Sequence, residues 1–197
     1  MNRIRLRRTS SGFALALAMA AALAAASVLP AQAQHQHAHV HGQLTLDVAV
    51  DGPTVVIAME SPLDNLVGFE RAPRTDAEKK SAEDAVAQLR AADKLFTIDP
   101  AANCKLGPVE LRSGALGLGK PDPAEAAAGH AELDATFSFN CTSAAAAKFI
   151  DVNLFSAFKG MRQIDVQVAT AQGQFKRQLK RPGGAKAAQP VRLGWGQ

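Results

Sequence analysis

Two stretches of period-two alternation, with a further strand pair late in the chain, constrain this chain more than anything else in it. Leu44, Leu46, Val48 and Val50 alternate with Gln43, Thr45, Asp47 and Ala49. Leu133, Ala135, Phe137, Phe139 and Cys141 alternate with Glu132, Asp134, Thr136, Ser138 and Asn140. Residues 164–170 and 174–180 form the late pair, joined at Gln172-Gly173. Successive side chains of a strand point to opposite faces, so alternation of this kind describes half-buried strands with one face on a core. Asp51-Gly52 is a turn signal, and residues 54–60, rich in Val and Ile, read as the returning strand of a hairpin.

One long helix interrupts the strands. Thr75 followed by Glu78 is a capping box, and Ala82, Ala85, Val86, Leu89 and Ala92 then recur at helical spacing. Lys79 and Glu83, four apart, add minor surface support and carry no function. Residues 112–129 shift to Gly, Pro and Ala and read as a surface loop. Residues 149–158 have room for a strand and a short helical turn, and the Gly/Pro-rich end packs through Val191, Leu193 and Trp195. Runs of strands around one helix predict a single α+β domain with a mainly antiparallel sheet.

The first residues put Arg3, Arg5, Arg7 and Arg8 ahead of an apolar stretch, residues 13–29, which ends in Pro30 and the small-residue site Ala31-Gln32-Ala33. That order is the one of a cleaved export signal, so residues 1–33 are expected to be removed, with no membrane insertion afterwards. The rival, a retained anchor, is disfavoured by a stretch that is mostly Ala and barely long enough to span a bilayer. Of the 22 Lys and Arg, four lie in this leader, leaving 18 against 18 Asp and Glu. The basic character belongs to the signal, so nucleic acid is not expected as a partner. In a periplasm the two cysteines, Cys104 and Cys141, are expected to form a disulfide that clamps two strands; thiolate metal ligands would need closer spacing and a nearby histidine.

The residues that carry chemistry are His35, His37, His39 and His41, alternating through residues 34–42 ahead of the domain at 43–197. Neutral imidazole binds zinc and copper, and alternate side chains of an extended chain share a face about 7 Å apart, close enough for neighbouring rings to lean onto one ion. All four stand at odd positions, whereas the following strand buries even ones. If that strand runs back unbroken, they face away from the core. His130, Glu132 and Asp134 offer a weaker set on the outer face of their own strand, and Asp47 and Glu70 are further oxygen donors only if the fold brings them close. No His-Glu-x-x-His helix, Gly-x-Ser-x-Gly elbow or phosphate-cradling glycine loop occurs, so no enzyme is expected.

A set of segments resembles a known family: His39-Val40-His41-Gly42, the strand after it, Glu60-Ser61-Pro62, Asn65-Leu66-Val67-Gly68-Phe69-Glu70, the late Cys141, Leu154-Phe155 and Phe158-Lys159-Gly160. Over nearly all of the mature chain the sequence is similar to ZrgA-type, zinc-regulated periplasmic proteins. The resemblance implies a Zn²⁺-binding accessory that scavenges or buffers zinc and works beside the periplasmic component of a zinc ABC transporter. Members often have His after the Gly-Phe-Glu segment, where this chain has Arg71, and often carry a His/Asp-rich insertion in the central loop, where residues 117–129 contain no histidine. The expected ligands are therefore the four N-terminal histidines, with His130 and Glu132 as weaker candidates. The alternatives are a copper or nickel chaperone, since imidazoles alone do not select zinc, and an envelope-interaction module in which the histidines are incidental.

Overall fold

The computed structural model describes residues 40–120, 131–186 and 188–195. The chain begins with a hairpin of β1, Gln43–Asp51, and β2, Thr54–Pro62, followed by one helical turn, α1, Asp64–Val67, and the long helix α2, Asp76–Arg90. A three-residue strand β3, Phe96–Ile98, leads to β4, Cys104–Arg112, and β5, Glu132–Cys141. The last third comprises β6, Phe149–Val152, a turn of helix α3, Leu154–Ala157, the hairpin of β7, Gln163–Thr170, and β8, Gly173–Lys180, and finally β9, Val191–Gly194.

A six-stranded sheet has the order β4-β5-β2-β1-β7-β8, and a smaller one the order β3-β6-β9. Every pairing is antiparallel except that of central β1 with β7, which runs parallel from Gln43↔Gln163 to Ala49↔Ala169. The alternation read from the sequence is the burial pattern: Leu44, Leu46 and Val48 of β1 and Leu133, Ala135, Phe137 and Phe139 of β5 are buried, with the intervening residues more exposed. Phe96 of β3 and Phe137 of β5 stack tilted at a centroid distance of 5.1 Å, joining the two sheets through one core. Burying a side chain of this size contributes about 1.5–3 kcal/mol.

The predicted capping box closes α2 in full: Glu78 N–H donates to Thr75 Oγ1 and Thr75 N–H to the Glu78 carboxylate, both at 3.2 Å. Ala82, Ala85 and Leu89 form its buried stripe. On the exposed side Lys79 pairs with Asp76 and Lys80 with Asp84, in place of the expected Lys79 and Glu83 pair. Cys104 and Cys141 are cross-strand partners joined by a disulfide. Among the described residues no helix is long and apolar enough to cross a membrane.

A candidate metal centre at the end of the first hairpin

β1 does not run back through the histidines. Gly42 has φ +82°, a left-handed conformation that suits glycine because a Cβ is disfavoured there, and the chain turns so that Gln43 N–H donates to Val40 C=O at 2.9 Å. The unbroken extension on which the outward-facing argument depended is thus absent, and His41 is carried by a turn. The Gly42 carbonyl accepts from the N–H groups of both Arg162 and Gln163, at 2.7 and 2.9 Å, which seats this turn on the start of β7.

The partners of His41 come from the segment after β2. Leu63 is fully buried and anchors the entry to α1, which places Asp64 at its first position. Gly68, with φ +85°, ends that single turn in a left-handed C-cap and returns its N–H to the Asp64 carbonyl at 2.8 Å. The reversal brings Glu70 back beside Asp64. His41 Nε2 then lies 3.0 Å from Glu70 Oε1 and His41 Nδ1 3.5 Å from Asp64 Oδ2. One ligand atom from each of the three residues lies within 4.8 Å of the others, and no other group of three or more His, Cys, Asp or Glu does so among the described residues.

Two features make this more than a surface ion pair. The second carboxylate oxygen, Asp64 Oδ1, is buried without a hydrogen-bond partner among the described residues, an arrangement that costs free energy unless a positive charge compensates it. Arg71, the cation next in sequence to Glu70, is committed elsewhere: its guanidinium donates to both oxygens of Glu78, at 2.9 and 2.7 Å. That pair, with a further bond from the Arg74 backbone N–H, holds the pKa of the Glu78 carboxyl down at about 2, and the Glu78 carboxylate in turn raises that of Arg71 above its ordinary value. One imidazole and two carboxylates with an exposed mouth, His41 being 70% exposed, form a donor set for a divalent ion with room for exchange.

Of the residues expected from sequence, His41 lies in this cluster. His35, His37, His39 and His130 lie outside the described residues. Glu132, at the start of β5, is half-buried and outside the cluster, and its backbone carbonyl accepts from Ser113 Oγ at 2.6 Å. Asp134 lies 3.5 Å from Arg112 on β4, and Asp47 is exposed on β1. Glu70, a conditional oxygen donor in the sequence, is brought in by the fold. Asp64 was not anticipated; its one signal is its place directly before the Asn65–Glu70 segment.

The fold is a small α+β domain in which His41, Asp64 and Glu70 form one candidate site for a metal ion. The family model for ZrgA family zinc uptake proteins matches residues 38–185. The chain belongs to that family. Comparison with individually curated proteins returns no match.

Proposed function

We propose that this is a periplasmic zinc-binding accessory protein that takes up Zn²⁺ on His41, Asp64 and Glu70 and assists its import by passing it toward an ABC-type transporter. The observation that carries the reading is the convergence of these three side chains around an exposed imidazole, one ligand atom from each lying within 4.8 Å of the others. Zinc is the cargo here, and a site with three protein ligands leaves a position through which it can enter and leave. Imidazole and carboxylate donors without thiolate or thioether disfavour Cu(I).

His35, His37 and His39, immediately upstream in sequence, serve in this reading as capture ligands that raise the local zinc concentration beside the site. His130 and Glu132 form a second, weaker pair. The disulfide supports an oxidising compartment, in agreement with export by the leader at residues 1–33.

The test is calorimetric titration with Zn²⁺ of the exported, chelator-stripped protein in which His35, His37 and His39 are replaced by Ala, beside the same protein carrying His41→Ala or Glu70→Gln. Saturable binding that is lost in both, with growth under chelator impaired in cells carrying either variant, supports the reading. Wild-type growth of the His41→Ala strain under zinc limitation overturns it and favours an envelope-interaction module.

A further inference from the structure

The Asn65–Glu70 and Phe158–Gly160 segments stand out in the sequence, yet neither Asn65 nor Gly160 bears a ligand atom of the metal site. Asn65 is 2% exposed. Its Oδ1 accepts from Gly42 N–H at 2.6 Å, and its Nδ2 donates to the Gln43 carbonyl at 2.7 Å and to Ser61 Oγ at 3.4 Å. A primary amide presents an acceptor and a donor side by side, so it can engage an N–H and a C=O of neighbouring residues at once, whereas a carboxylate offers acceptors alone. Asn65 uses both on the two residues that follow His41, while its own backbone follows Asp64. One buried side chain therefore spans the two ligand-bearing segments, which are 23 residues apart in sequence.

Gly160 supports Asn65 from behind. A Cβ at position 160 would lie 2.9 Å from the Asn65 carbonyl oxygen and 3.2 Å from that of Asp64. These are backbone atoms, so a side chain there would force α1 to shift. The same approach to β7 supplies the two N–H groups that hold the Gly42 carbonyl, from Arg162 and Gln163. The His41 turn is thus held by Asn65 on one side and by the start of β7 on the other.

We propose that Asn65, seated against Gly160, is a positioning residue of the zinc site, setting the separation of His41 from Asp64 and with it the affinity for the ion. The proposal rests on the assignment of zinc to His41, Asp64 and Glu70. Partners of this kind, one step removed from the metal, change affinity by about 10–100-fold when lost. A purely structural role for Asn65 predicts a different outcome, namely lower stability with unchanged zinc affinity.

The experiment uses the protein purified after export, with His35, His37 and His39 replaced by Ala so that the tract does not mask the site. Zn²⁺ affinity, the visible spectrum of the Co²⁺-loaded protein and the melting temperature in chelator are measured for Asn65→Ala, Gly160→Ala, His41→Ala and Asp99→Ala. Asp99 is the control, a buried side chain that likewise ties two backbone segments, accepting from Ala101 and Lys148 N–H at 3.0 Å each, but beside the smaller sheet. The expected result is a roughly 10–100-fold loss of zinc affinity and an altered Co²⁺ spectrum in Asn65→Ala and Gly160→Ala, with Asp99→Ala binding as the parent does. Gly160→Ala keeps every hydrogen-bonding group of Asn65, so it reads the position of α1 even if Asn65→Ala fails to fold. Parent-like affinity in Gly160→Ala and Asn65→Ala, with binding lost in His41→Ala, overturns the positioning role and leaves the site standing. Parent-like binding by His41→Ala overturns the site and the positioning role together.

Discussion

The two ends of the β1–β2 hairpin are held by different means. At the Asp51–Thr54 end, Cys141 N–H donates to the Pro53 carbonyl at 2.8 Å, and Cys141 is bonded covalently to Cys104 on the neighbouring strand. At the other end, where β1 begins and β2 finishes, the frame is made of short hydrogen bonds. These are the bond from Gly42 N–H to Asn65 Oδ1 and the one from Asn65 Nδ2 to the Gln43 carbonyl, those from Arg162 and Gln163 N–H to the Gly42 carbonyl, and those from Leu63 N–H to Ala131 and from the Arg181 guanidinium to Phe158 and Met161. Among the described residues, the covalent clamp stands at the opposite end from the His41, Asp64 and Glu70 cluster. The end that carries the cluster has a buried polar frame with an exposed imidazole on top.

If the ends are independent, removing the clamp lowers stability and leaves zinc affinity alone. Replacing Cys104 and Cys141 together by Ala opens a link between residues 37 apart in sequence, and a native disulfide of this kind contributes ~2–5 kcal/mol. Urea unfolding of the double variant should show that loss, and zinc titration should give an affinity within about twofold of the parent. A parallel fall in affinity would break the comparison, because strain at one end of β1 would then be reaching the other.

The site end should behave in the opposite way. His41 is exposed, so His41→Ala should change the stability of the chelated protein by no more than about 0.5 kcal/mol. With His35, His37 and His39 replaced by Ala in both proteins, zinc at one hundred times its dissociation constant should stabilise the parent by about 2.7 kcal/mol, because it binds the folded state alone, and that increment should vanish in His41→Ala. Melting curves with zinc and with chelator, on both proteins, measure the two quantities directly. An increment that persists in the variant points to ligands other than these three.

The strands legible in the sequence were β1 and β5, whose burial alternates, β2, rich in Val and Ile after a turn signal, and the β7–β8 hairpin, marked by its Gln172-Gly173 turn. β4 was not, because Gly107 and Pro108 fall where its register shifts between Leu106 and Val109 and the alternation breaks there. β3 is three residues long and leaves no periodic trace. The parallel pairing of β1 with β7 joins segments more than 100 residues apart, which local patterning does not encode. The same limit applied to the site. The histidine tract was visible as composition, whereas the two carboxylates depend on one turn of helix and a left-handed Gly68, and these bring Asp64 and Glu70 to His41 only once the long-range frame around Asn65 has formed.

The smallest effect expected concerns Glu78, which borders the site end through Arg71. Its carboxyl is held at about 2 in the folded protein, first by the Arg71 side chain and then by the Arg74 backbone N–H, against an ordinary value of 4.5. A depressed carboxylate stabilises the fold fully above its unfolded value, and that contribution fades as pH falls through the window from about 4.5 to about 2. Glu78→Gln should therefore flatten the acid limb of the stability curve in that window and leave its shape near neutrality unchanged. The pair is open to solvent, so added salt should weaken the difference between parent and variant. Zinc affinity at neutral pH is the sharper reading. If Arg71 is committed to Glu78, freeing it by Glu78→Gln lets a cation approach Glu70 and should lower zinc affinity modestly, whereas unchanged affinity would mean that the guanidinium does not reach the site even when released.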